Sequence, residues 1–127
     1  MSPTTITVAR LVVQVCLILV SCIAISGGAL QFYRGQPETA PRLDNVHRFM
    51  AGIYFSTGII CLWAGITIRE QGLLVYFLAL GILLGGLGRL LSMSKVGVPE
   101  PKGLWLGYLI PELIIPFIIA AAHYLST

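Results

Sequence analysis

The stretch Leu73–Met93, LLVYFLALGILLGGLGRLLSM, decides the fold class of this chain. Arg89 is its only charged residue, and the stretch has the roughly 20 residues that a helix needs to cross a bilayer. Polar and apolar residues do not alternate along it, as they would in a strand of a membrane barrel. The stretch therefore predicts a transmembrane helix.

Three further apolar runs accompany it, and the predicted helices cover residues 7–32, 46–68, 73–93 and 104–125. The first run is too long for the apolar region of a typical signal peptide. Only 10% of the 127 residues are charged, against roughly 25% in an ordinary soluble domain. We expect a single all-α transmembrane domain over residues 1–127, an integral membrane four-helix bundle with antiparallel up-down topology.

Basic residues at the run ends predict the orientation in the membrane. Four crossings place both termini and the turn REQG on one side, with Arg10 and Arg69. The other side carries Arg34, Arg42, Arg48, Lys95 and Lys102. The excess of basic residues predicts that loops 34–45 and 94–103 are cytoplasmic and that both termini are periplasmic, in a bacterial inner membrane. The basic residues behind the net charge of +3 are thus expected to set the orientation in the membrane and to contact anionic lipid head groups. No nucleic-acid site is predicted.

Charged residues inside the runs are costly in a bilayer and indicate sites. Arg89 in the third run and Glu112 in the fourth differ in depth by about 6 Å, which an arginine side chain can span. Tyr108 lies one turn from Glu112, and Asp44 and Arg48 begin the second run at the same end. These residues predict either a buried ion pair that only joins two helices or a polar pocket.

Glycines on the predicted helices indicate close helix packing. Gly81 and Gly85 form a small-x-x-x-small pair in the third run, and Gly58 and Gly65 lie a heptad apart in the second. We expect these positions to contact neighbouring helices.

Two expectations concern residues at helix ends. Asp44 or Asn45 is predicted as the N-cap of the second helix, because either side chain accepts hydrogen bonds from free amides of a first turn. His47 and His123 lie at the membrane boundaries, where we expect a solvated imidazole.

Cysteine spacing indicates neither a disulfide nor a metal site. Cys16, Cys22 and Cys61 all lie within apolar runs, without a C-x-x-C pair or zinc spacing with histidine. No cofactor or metal is predicted, and no catalytic sequence motif occurs.

The segments DNVHRFMAGIYFSTGIICLWAG, from Asp44, and LGGLGRLLSMSKVGVPEP, from Leu84, carry a family resemblance. Together with a glutamate and prolines in the last helix, they resemble small bacterial four-helix membrane proteins classed as domain of unknown function four-three-four-five. The resemblance implies four membrane helices and no established activity. It also implies a polar set, which corresponds to Asp44, Arg48, Tyr54, Arg89, Ser92 and Glu112.

Binding is the function that we expect first. A pocket of Arg48, Arg89, Glu112 and Tyr108 would hold the head group of an anionic amphiphile or lipid, because guanidinium grips carboxylate or phosphate with two hydrogen bonds. The same helices could instead dock as an accessory subunit onto a larger membrane complex or a homo-oligomer.

Two alternatives stay open. An oligomeric transporter would use Glu112 as its proton-coupling carboxylate, although small multidrug exporters, of similar size, carry their essential glutamate in the first helix. A membrane enzyme would use Glu112 as acid or base, with Tyr108 or His47 assisting.

Overall fold

The structure, a computed structural model, describes residues 2–127, which form four long helices joined by short connections. The helices are α1 at Pro3–Arg34, α2 at Pro41–Ile66, α3 at Leu73–Val96 and α4 at Lys102–Leu125, with a 3-10 turn at Ile68–Glu70. Each is long and apolar enough to cross a membrane. The predicted all-α, four-helix fold class is confirmed.

Helix α2 begins earlier than the sequence predicted. Its first residue is Pro41, where a fixed φ suits the first turn and the missing amide costs nothing. The N-cap residue is Ala40, which makes no side-chain capping hydrogen bond. The expectation that Asp44 or Asn45 caps this helix is therefore wrong, and the connection from α1 shortens to residues 35–40.

Residues Gln14–Ile68 form one compact unit, the α1–α2 hairpin. Gly28 lies against the backbone of Phe55, whereas Gly58 lies against Ala24. Residues further along α2 thus contact residues nearer the start of α1, so the two helices are antiparallel. Small residues at these crossings let the backbones approach closely, as is typical of helix pairs in membranes.

The remaining described residues form the second unit, in which α3 packs antiparallel to α4. The two helices approach each other closely at Gly86, where an added Cβ would lie 3.0 Å from the Cβ of Glu112. A Cβ at Gly81 or Gly85 would have no described atom within 4 Å. The expectation of packing is thus wrong for these two glycines, and holds for Gly58 and Gly65, both of which contact α1.

His123 ties the end of α4 to the beginning of α3. Its Nε2 lies 2.9 Å from the carbonyl oxygen of Gly72, and its ring meets Tyr76 edge to face at 4.9 Å. Only 2% of the residue is exposed. The expected solvated imidazole is therefore wrong at this position, because the ring is used in packing.

The glycine contacts predict that a Gly→Ala substitution changes the free energy of unfolding differently at Gly58 and at Gly81. Gly58→Ala should lower the free energy of unfolding by about 1–3 kcal/mol, because the new methyl group overlaps Ala24 and Ile25. Gly81→Ala, in open space, should leave it unchanged or raise it by up to about 1 kcal/mol through helix propensity. Denaturation in mixed detergent micelles, followed by circular dichroism, measures both. Equal effects would contradict the packing.

Candidate functional site

Arg89 and Glu112 form an ion pair that joins α3 to α4. The Nε of Arg89 donates to both carboxylate oxygens, at 3.1 Å to Oε1 and 2.8 Å to Oε2. The side chains keep 34% and 23% of their exposure. The predicted pair is therefore formed, but it is partly buried and not fully buried.

Close helix packing sets the position of Glu112. Gly86 precedes Arg89 by one turn of α3, and a Cβ there would lie 3.2 Å from the carbonyl oxygen of Glu112. Pro116, one turn further along α4, has no amide to donate to that carbonyl. Gly86 therefore lets the backbone carbonyl and the side chain of Glu112 approach α3, and Pro116 removes the amide that would otherwise pair with that carbonyl.

The pairing geometry leaves most of the guanidinium group unused. Because Arg89 approaches Glu112 with Nε alone, its terminal Nη1 and Nη2 make no hydrogen bond to any group in residues 2–127. Neither terminal nitrogen is among the buried unpaired atoms. Two parallel N–H donors at the outer edge of a guanidinium match the spacing of carboxylate or phosphate oxygens.

Two aromatic rings of α4 flank this guanidinium. The Cζ of Arg89 lies 5.8 Å from the centre of the Trp105 ring and 5.6 Å from that of Tyr108. The two rings meet each other edge to face at 5.7 Å. Both distances lie within the range of cation–π attraction, which favours this position of the cation. The contact of Trp105 was missed from the sequence, although its spacing of 3 and 7 residues from Tyr108 and Glu112 places it on their face.

The cluster of Arg89, Glu112, Trp105 and Tyr108, hereafter the Arg89 cluster, lies near one end of the α3–α4 hairpin. Arg89 is about 10 Å along the axis from the last residue of α3, Val96. A helix of 24 residues is about 36 Å long, so α3 centred on a hydrocarbon core about 30 Å thick would place the backbone of Arg89 about 7 Å inside that core.

Arg48 belongs to the other unit and donates four hydrogen bonds there. Its Nη1 donates to the carbonyl oxygens of Phe32 and Tyr33, at 3.1 and 3.0 Å, and its Nη2 donates to that of Arg34 at 3.2 Å. Its Nε donates to Asp44 at 3.1 Å. The last carbonyls of a helix lack partners within the helix, so Arg48 acts as a cap for α1.

Asp44 completes this cap from the first turn of α2. Its Oδ1 accepts a hydrogen bond from the amide of Gln36 at 2.6 Å, while Oδ2 accepts from Arg48. Gly35 adopts a φ of +58°, which favours glycine, and a Cβ there would overlap both charged side chains. Asp44 therefore fixes the turn after α1.

The residues of the predicted pocket are thus distributed over two units. Arg89, Glu112 and Tyr108 are brought together in one, and Asp44 and Arg48 are brought together in the other. Tyr54 lies on α2 beside Gly27, and Ser92 is an exposed residue of α3 one turn after Arg89. A ligand-binding role stays a prediction for each of them.

The capping geometry predicts a stability effect at Arg48. Arg48→Lys keeps the charge but loses the two terminal nitrogens that donate to three carbonyls. It should therefore lower the free energy of unfolding by about 1–2 kcal/mol. Arg42→Lys, at an exposed position of the same helix, should change it by less than about 0.5 kcal/mol. Denaturation in detergent compares the two. A stable Arg48→Lys variant would contradict the capping role.

Comparison with known proteins gives one family and no individual relative. Neither the curated proteins nor the solved structures give a match to this sequence. The family profile described as Domain of unknown function (DUF4345) matches residues 12–123, which contain α2, α3 and the whole Arg89 cluster. The chain therefore belongs to the DUF4345 family.

Proposed function

We propose that this protein binds the anionic head group of an amphiphile or lipid at the Arg89 cluster. The observation that carries the proposal is the side-on pairing of Arg89 with Glu112, which leaves Nη1 and Nη2 unpaired within residues 2–127. A guanidinium that served only to join the two helices would be expected to use its terminal nitrogens in that contact.

The surroundings of the cluster favour an amphiphile over a water-soluble anion. Large apolar side chains on both helices remain exposed near it, with 57% of Leu91, 49% of Leu104 and 55% of Ile110 accessible. Both helices are also long and apolar enough to cross a membrane. A bound head group would therefore have acyl chains beside it that contact these residues.

The other functions remain alternatives. Both oxygens of Glu112 are engaged by Nε of Arg89, and that contact would have to open before Glu112 could carry a proton in transport or in catalysis. Docking onto a larger complex or a second copy makes no use of the unpaired nitrogens. Binding therefore ranks first.

We also propose an orientation in a bacterial inner membrane. Lys95 at the end of α3 and Lys102 at the start of α4 lie at one end of that hairpin, and Arg34 and Arg42 flank the α1–α2 connection. Arg10 and Arg69 are the basic residues on the opposite side. This excess supports cytoplasmic connections and periplasmic termini.

Fluorescence of Trp105 tests the binding proposal. In a Trp63→Phe background Trp105 is the remaining tryptophan, and brominated stearate and brominated phosphatidylglycerol, added to the protein in neutral micelles, should quench it saturably. Arg89→Gln should weaken the binding of whichever probe binds by about tenfold or more, because a charge-assisted contact is lost. Arg89→Lys keeps a cation for Glu112 but lacks the paired terminal nitrogens of a guanidinium. Its affinity for the probe should fall between those of the parent protein and the Arg89→Gln variant.

Arg42→Gln is the matched control, because it removes the same charge at an exposed position outside the cluster. It should leave the quenching curves unchanged, and circular dichroism should show that each variant keeps its helices. Equal binding by the Arg89→Lys variant and its parent, or equal binding of brominated phosphatidylcholine and the anionic probes, would refute the proposal.

Reporter fusions at Thr127 test the orientation. Alkaline phosphatase is active only outside the cytoplasm, so a C-terminal fusion should be active, whereas a fluorescent protein that folds only in the cytoplasm should stay dark. The reverse pattern would overturn the orientation and leave the binding proposal unaffected.

A further inference from the structure

Ser92, like Ser56 of α2, differs from the helical hydroxyl residues that bond the backbone of their own helix. Ser21, Ser26, Thr57 and Ser94 donate to a carbonyl of the preceding turn, Ser94 to that of Leu91 at 2.7 Å. Such bonds are the usual way for a helical hydroxyl to be satisfied in apolar surroundings. The hydroxyl of Ser92 makes no hydrogen bond within the described part of the chain, and the residue is exposed.

The position of Ser92 relates it to the Arg89 cluster. It follows Arg89 by three residues in α3, so the two lie beside each other on the helix surface, with Cβ atoms about 5–6 Å apart. Both residues therefore face the same side of α3, where a tetrahedral anion at the terminal nitrogens of Arg89 could extend toward the hydroxyl. Arg89 and Ser92 together offer two parallel N–H donors and one O–H donor.

This donor set distinguishes between two kinds of anion. The two terminal nitrogens of Arg89 take both oxygens of a carboxylate, whose remaining lone pairs lie in the same plane, whereas a tetrahedral phosphate has further oxygens outside that plane that can accept from the hydroxyl. Lys95, in the last turn of α3, and Lys102, at the start of α4, are exposed at the same end of the hairpin. They supply positive charge that Arg89, neutralised by Glu112, does not provide.

We propose that the Arg89 cluster is selective for a phosphate group, and that Ser92 is the residue that distinguishes phosphate from carboxylate. This inference rests on the proposed function and names the chemical class of its ligand. A phosphomonoester lipid head group, as in phosphatidic acid, and free phosphate share this chemistry. The exposed apolar residues beside the cluster favour the lipid as its source.

The test compares Ser92→Ala with Ser94→Ala in the Trp63→Phe background. Ser92→Ala should weaken the binding of brominated phosphatidic acid, measured by the quenching of Trp105, about fivefold, because one hydrogen bond is lost. It should leave the binding of brominated stearate unchanged. Ser94→Ala should change neither, because its hydroxyl already bonds Leu91. Inorganic phosphate is then added as a competitor, and displacement of the brominated phosphatidic acid would identify free phosphate as a ligand of the same site.

Two results would overturn the inference, and they differ in what they say of the proposed function. If Ser92→Ala leaves phosphatidic acid binding unchanged, or weakens both probes equally, selectivity for phosphate is refuted while binding that depends on Arg89 still stands. If no anionic probe quenches Trp105 in a manner that depends on Arg89, the proposed function fails and the phosphate inference fails with it.

Discussion

The ion pair of Arg89 with Glu112 places a charged group within a helix that is otherwise suited to hydrocarbon. Only Nε of the guanidinium donates to the carboxylate, and Nη1 and Nη2 stay unpaired within residues 2–127. The arrangement depends on Gly86, whose missing side chain allows the backbone at Glu112 to approach, and on the rings of Trp105 and Tyr108. The binding proposal and the role given to Ser92 both depend on this one contact.

Two arginines of the chain show how context decides what the same side chain does. Arg48 donates hydrogen bonds to the last carbonyls of α1 and to Asp44, so its guanidinium stabilises the end of that helix. Arg89 makes no hydrogen bond to a backbone carbonyl in residues 2–127 and pairs across two helices through one nitrogen. The first is therefore best explained by helix capping, whereas the second keeps its terminal nitrogens unpaired within the described residues.

Much of the fold followed from length and hydropathy, because a run of about 20 apolar residues has few stable structures other than a membrane helix. Arg89 and Glu112 could be paired from their depths in antiparallel neighbours. The cap by Arg48 could not be predicted, since it depends on the path of a turn that begins at Pro41 and not at Val46. The burial of His123 was missed because position near a helix end says nothing about which face is packed.

The 32 residues of α1 have a further consequence for the membrane around it. At 1.5 Å per residue the helix is about 48 Å long, whereas the hydrocarbon core of a bilayer is about 30 Å thick. An upright α1 would extend past the core, so the helix must tilt or place its ends among the head groups. The thickness of the surrounding lipid layer therefore bears directly on the inclination of α1.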